Sequence, residues 1–477
     1  MVVSGVSAAQ RSDRALEAQL LDHIRILASD EFQGREPGTE GEARTLRYLG
    51  REWFELGLVS GTNDPGDEWF APVTIVAREP DYSSALFSRK GRRQYVPGDA
   101  VLMLTSGKRS LVREAPLLFV GNGKGAMPSR NELAGRVALL LDGGTEDSER
   151  QNALLAAGAS AVLTVLDGER TLESVAARRR RSGYALASDE LGGDLEGFIT
   201  PYGIDRLLHG GGRTLDSLKK DAAQPDFVAQ PLDITATLEA TTRETTIRTH
   251  NLIGKLPGRR PDTGAVLFVA HWDAFGSCGE PPAEDLICNG AIDNASGLAA
   301  LTEIARRLSR GPQLDRDVYF LATTGEELGL LGAHAFAENP PIPLKQIVAA
   351  FNIDSVAIAP AGSAIAIVGR GMTPLDAGIA RVARQMRRRL VDGDAANAYV
   401  KRQDGWALLQ HDIPTVMVTS AYSDLARMEA FFDGDYHRPS DDLRKSPELG
   451  GAAEDVAFHV ALARYFGDAR QVTLGRM

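Results

Sequence analysis

Between residues 265 and 354 an apolar, β-branched run ends three times in a carboxylate or an imidazole. The runs read AVLFVAHWD, DVYFLATTGEE and IVAAFNID, and continuous apolar runs of this kind suit strands buried on both faces. Helical patterns separate them, notably at 296–308, where Leu298, Leu301, Ile304, Ala305 and Leu308 share one face. Strands alternating with helices predict βαβ units and an α/β fold with a mostly parallel, doubly covered sheet. In such a sheet ligands gather at the carboxyl ends of the strands, so His271, Glu326, Glu327 and Asp354 are expected to converge on one crevice. Those residue types make a metal site the first chemistry to test.

A chain of 477 residues exceeds one small core. With 64 acidic against 53 basic residues its formal charge is −11, which argues against nucleic acid as a partner. No run approaches the roughly 20 apolar residues of a membrane helix, so no transmembrane segment is expected. The opening MVVSGVSAAQ places VSA before AQ, the small-residue pattern that precedes a signal cleavage site. It reads as the remnant of a signal, hence periplasmic or secreted; an ordinary frayed terminus is the plainer alternative. Cys278 and Cys288 both lie between His271 and Asp293. One bridge pinning that loop, two free thiols, or soft metal ligands are the options, and their spacing is no zinc signature. Oligomeric state leaves no mark in the sequence.

Two amphipathic helices open the chain, at 15–27 and from a Thr39–Glu42 capping-box spacing to Leu56, with a turn at Gly34, Pro37 and Gly38 between them. The region 73–245 differs, with short strand-like runs (VLMLT, PLLFVGNG, RVALLLDGG, SAVLTVLD) and no acid–imidazole cluster. It is expected to be a smaller, β-rich α/β insert dividing a main domain of 1–72 and 246–477. Within it GNGKG at 121–125 mimics a phosphate loop but lacks the Walker spacing, and the basic run 178–181 reads as a solvated helix end.

Five residues have the types a divalent zinc site needs: His271, Asp293, Glu327, Asp354 and His437. Asp273 stands two after His271, where a carboxylate would fix the imidazole tautomer. Asp293 sits in GAIDNASG ahead of a helix, where Asn294 or Ser296 would cap while the aspartate points outward; its bland reading is that it is itself the cap. Adjacent acids such as Glu326 and Glu327 point different ways, so one can ligate while the other acts as general base; the bland reading is a solvated turn. Tyr436, beside His437 in DYHRPSDD, is placed to donate to an oxyanion. His334 and His411 lack such company and read as structural.

HWDAFG, NGAIDNASGLAALTEIA, TGEELGLLGA, NID and YHRPSDD resemble the motifs of the di-zinc aminopeptidase family, which includes bacterial leucyl aminopeptidases, glutamate carboxypeptidase II, glutaminyl cyclase and transferrin receptor. ASDEFQGREPGTEGE resembles that family's N-terminal segment, and the middle region resembles a protease-associated domain. The resemblance implies a zinc exopeptidase fold and two zinc ions, or another divalent metal. One ion would be held by His271 and Asp354, the second by Glu327 and His437, with Asp293 bridging and Glu326 as base. It implies peptide substrates and most simply an aminopeptidase, with a carboxypeptidase, a cyclase or a non-catalytic binding homologue as rivals. The chain departs from the pattern at Ala274, at QDGW (403–406) and at Ser355–Val356, which touches the substrate pocket or the residues that support the ligands and leaves the metal set intact.

Overall fold

The strands Ala265–His271, Asp317–Thr323, Ile347–Asn352 and Thr415–Thr419 are each buried at every residue. The computed structural model describes residues 13–122, 126–143, 147–181, 183–189, 192–279 and 281–472. The suspected signal remnant lies outside the described residues, as do parts of GNGKG and the side chains at the end of the basic run. The chain divides into two compact units, 1–75 with 247–477, and 76–246. Two long strands, Phe70–Arg89 and Gln230–Leu256, carry the backbone from one unit to the other.

In the first unit Ala265–His271 pairs in parallel with Asp317–Thr323 and Ile347–Asn352, and Ile347–Asn352 in parallel with Thr415–Thr419. Antiparallel partners flank this core, Ala366–Val368 on one edge and the end of Gln230–Leu256 on the other. The sheet is mostly parallel, as the runs predict. Along Ala265–His271, Val266, Phe268 and Ala270 join one apolar cluster with Leu298, Leu301 and Phe458, while Ala265, Leu267 and Val269 join another with Phe336 and Leu408. Alternation across the pleat therefore feeds two helical layers, and no strand face is left for water.

Helices Arg14–Leu27, Glu40–Glu55, Gly297–Ser309, Asp376–Met386 and Leu449–Phe466 contribute to the first layer. At the second of these the cap differs in detail from a capping box. The Thr39 side chain accepts from the Gly41 N–H, and Glu42 reaches past the cap to the Gly38 N–H at 2.6 Å.

The second unit is a smaller α/β body. Arg109–Phe119, Val137–Leu141, Ala161–Val165 and Leu195–Ile199 run parallel, with Val101–Thr105 antiparallel at one edge. It has its own core, around Leu117, Leu139, Leu163 and Ile199.

Candidate metal centre

After Ala265–His271 the chain pairs first with one neighbour (317–323) and later with the other (347–352), so the loops leaving these strands part above the central one. That is the topological switch point at which α/β sheets hold ligands. His271 is the last residue of the central strand, and Glu326, Glu327 and Asp354 lie just beyond the ends of its neighbours. Asp293 occupies the tight turn Ala291–Ser296 before Gly297–Ser309, and His437 follows helix Leu425–Gly434.

These side chains meet. His271 Nε2 lies 3.2 Å from Asp293 Oδ1 and 3.7 Å from Asp354 Oδ1. His437 Nε2 lies 3.3 Å from Asp293 Oδ2 and 2.9 Å from Glu327 Oε2. Two donor groups result, His271 with Asp293 and Asp354, and Asp293 with Glu327 and His437, and Asp293 belongs to both. The first is buried, whereas the second opens to solvent at His437.

Hydrogen bonding tests whether a cation fits. His271 Nδ1 is 3.1 Å from the Asp273 carbonyl oxygen, which can only accept, so in the neutral ring Nε2 carries the lone pair. That nitrogen is buried without a hydrogen bond, as is Glu327 Oε1. Lone pairs of imidazole and carboxylate thus face one another at short range, an arrangement that costs energy unless a proton or a metal stands between them. Burial would lower the proton affinity of His271, but Glu326, Asp293 and Asp354 outweigh it and raise it well above the usual range. Burial likewise opposes the charge on His437, yet Asp293 and Glu327 push it up to about 9. Burial pushes Glu327 up to about 8, with the Asp293 charge adding to it. The crowding of acids is itself the signature, and the donor set of two imidazoles and three carboxylates suits zinc.

The surrounding shell positions these donors. The sequence reading gave the Asp273 carboxylate to the His271 ring; instead the main-chain carbonyl takes that role, and Oδ1 stands 3.8 Å from Nδ1. The carboxylate accepts the Glu326 N–H at 3.2 Å and the Glu327 N–H at 3.4 Å, so it holds the turn that carries the two glutamates. Asp441 does the same for Asp293, accepting from the Ile292 N–H at 2.9 Å and the Asp293 N–H at 3.0 Å. Ser296, not Asp293, is the N-cap residue, and Asn294 Oδ1 accepts from the first helical N–H, that of Gly297, at 2.9 Å. Ser355 donates to Asp354 Oδ1 at 3.0 Å, a use for one of the departures from the family pattern.

Three contributions were not legible in the sequence. Arg35, wholly buried, donates to the carbonyls of Trp272, Leu27, Asn289 and Gly290, tying the His271 and Asp293 loops to the N-terminal segment. Asp404 accepts from the Thr323 hydroxyl, and burial pushes its carboxyl up to about 7. Tyr422 is buried beyond strand Thr415–Thr419, and burial with the charges of Asp354 and Asp293 raises its phenol well above the usual range. Tyr436 lays its ring on His437, centroids 3.5 Å apart, with Phe275 on His437 at 4.4 Å, and burial with the charges of Asp293 and Glu327 raises the Tyr436 phenol well above the usual range. His334 and His411 pack on each other, their rings 5.7 Å apart.

Residues 251–461 match the model of peptidase family M28. This stretch of the chain belongs to that family. Every donor of the two groups lies within the M28 stretch. Among curated relatives, the aminopeptidase YwaD of Bacillus subtilis is 32% identical over 133 residues, which is 28% of this chain and 26% of that protein. The alkaline phosphatase isozyme conversion protein of Escherichia coli is 33% identical over 93 residues, 18% of this chain and 26% of that protein. The matches thus span about a quarter of each relative's length. An aminopeptidase from Aneurinibacillus sp. strain AM-1 shares the fold at a TM-score of 0.58 and 17% identity, covering 98% of this chain and 97% of its own.

Proposed function

We propose that this M28 chain is a zinc-dependent aminopeptidase holding two zinc ions at His271, Asp293, Asp354, Glu327 and His437. The observation that carries it is Asp293, whose two carboxylate oxygens face two different imidazoles at 3.2 and 3.3 Å. When bound, zinc would supply Lewis-acid polarisation of the scissile carbonyl and acidification of a water. Glu326 belongs to neither donor group yet extends from the same turn as Glu327, so it is free to take the water's proton and pass it to the leaving amine. Asp273 fixes that turn through the two backbone N–H groups, and the phenols of Tyr422 and Tyr436 both feel the charges of Asp354 and Asp293. The aminopeptidase character of YwaD supports the direction of attack.

A panel of aminoacyl and N-acetylated peptides on the zinc-loaded protein tests this. Peptides with a free amino terminus should be hydrolysed and their acetylated partners spared by at least about tenfold in kcat/KM, a difference of roughly 1.4 kcal/mol. Preference for blocked peptides would point to a carboxypeptidase. Release of a cyclic pyroglutamyl product without hydrolysis would point to a cyclase.

The unit 76–246 is proposed to be a protease-associated-like domain, supported by its separate core and parallel strands. Export is proposed on the cysteines. Cys278 and Cys288 are joined, with Cα atoms 5.7 Å apart, in the loop between His271 and Asp293, and such bridges persist in oxidising compartments. Closing so short a loop contributes roughly 2–3 kcal/mol by chain entropy. Intact-mass analysis under denaturing, non-reducing conditions should find no thiol to alkylate; two alkylated cysteines in fresh periplasmic material would remove the bridge and with it this support for export.

A further inference from the structure

Beside the metal centre stands a cation that the proposed reaction does not use. Arg402 ends the turn Ala395–Arg402 and is exposed, and among the described residues it forms no ion pair. Its guanidinium carbon sits 4.6 Å above the Phe432 ring and 5.5 Å from the Tyr436 ring. Those two rings meet edge to face at 4.9 Å, and Tyr436 in turn lies on His437. Arg402 is therefore separated from a metal-ligand imidazole by one aromatic ring. A second path reaches the same place: Tyr399 stacks on Phe432 at 5.5 Å and meets Tyr422 at 5.3 Å. Two residues further along, Asp404 accepts from Thr323 at the end of a central strand, which fixes the backbone that Arg402 leaves.

An arginine laid on aromatic faces loses side-chain freedom before any ligand arrives, while its edge N–H groups stay available. Such a fork matches a carboxylate. The shallow wall of aromatic rings would also exclude water from one side of the contact.

We propose that Arg402, held on Phe432 and Tyr436, is a specificity-determining residue that binds a carboxylate of the peptide substrate beside the metal centre. The carboxylate is either that of an acidic first side chain or the C-terminal group of a short peptide. This inference rests on the peptidase reading above.

Three matched substrates test it on the zinc-loaded full chain: glutamyl-glycinamide, leucyl-glycine and leucyl-glycinamide. The first carries its carboxylate on the side chain, the second at the C-terminus, and the third has none. The wild type should favour one of the first two over leucyl-glycinamide in kcat/KM. Arg402→Met should reduce that ratio about tenfold, and Arg402→Lys should keep most of it. Added salt should narrow the wild-type preference. Which carboxylate responds identifies its source. A ratio that is the same in wild type and Arg402→Met, or a wild type that shows no preference for either carboxylate, overturns the proposal while leaving the peptidase reading intact. A folded, zinc-loaded wild type that hydrolyses none of the three, nor any peptide of the aminoacyl panel, overturns the peptidase reading, and this proposal falls with it. Arg402 is exposed, so circular dichroism of the variants should match the wild type.

Discussion

Glu326→Gln should lower kcat by about 10²–10⁴ and leave the zinc content at the wild-type value. The amide fills the same volume but cannot take a proton, and Glu326 contributes to neither donor group. Its neighbour should behave in the opposite way. Glu327 Oε2 is 2.9 Å from His437 Nε2, and its other oxygen is buried without a partner, so Glu327→Gln replaces an anionic donor by a neutral one. A carboxylate offsets the cation's charge and an amide oxygen does so far less, so this variant should lose or weaken one metal as well as activity. The hydrogen bonds from both backbone N–H groups to Asp273 are main-chain contacts, and either substitution leaves them in place. Metal analysis and kinetics on the two variants decide the matter. Were Glu326→Gln to shed zinc while Glu327→Gln kept it, the two roles would be exchanged.

Arg35→Ala should destabilise the main unit by about 3–5 kcal/mol, the range for removing one partner of a buried, hydrogen-bonded charge. Four carbonyls, those of Leu27, Trp272, Asn289 and Gly290, lose their donor at once, at 2.6 to 3.0 Å. Burial lowers the Arg35 pKa to about 10, against the pull of Asp441, Asp273, Asp293 and Glu327, so the group remains a cation at neutral pH and offsets part of the acid cluster. Removing it therefore acts twice, on packing and on the charge balance of the centre. Arg35→Lys keeps the charge, but one ammonium cannot span four carbonyls, so it should fall between wild type and alanine. Denaturant unfolding of the metal-free proteins measures the first effect, and zinc affinity of the folded variants the second. An alanine variant within about 1 kcal/mol of wild type would mean that the carbonyls find water instead.

The contrast between these residues explains what the sequence does and does not disclose. The four buried strands are legible because each is a continuous apolar run, and a run that ends in His271 or in the glutamate pair announces where the chain leaves the core. Asp293 is legible by company, in a loop of glycine and small residues that must pass close to Ile353, where Asn294 donates to the carbonyl at 3.0 Å. Arg35 carries no such mark. Its GR dipeptide lies in a turn more than 200 positions from Trp272, and its partners are main-chain carbonyls, which have no residue-specific signature. The Asp273 detail escapes for the same reason: spacing of two from His271 fits both the carbonyl and the carboxylate, and only the fold shows that the carboxylate is taken by the Glu326–Glu327 turn. Arg402 is invisible until Phe432 and Tyr436, 30 and 34 positions away, are brought beneath it.

Zinc per chain, measured by elemental analysis after equilibrium dialysis against excess zinc and removal of the unbound metal, addresses the centre most directly. Two donor groups sharing Asp293 predict two ions per chain, with one of them lost or weakened in Glu327→Gln. A single ion per chain in the wild type, or none, would contradict a centre built on Asp293 as a bridge.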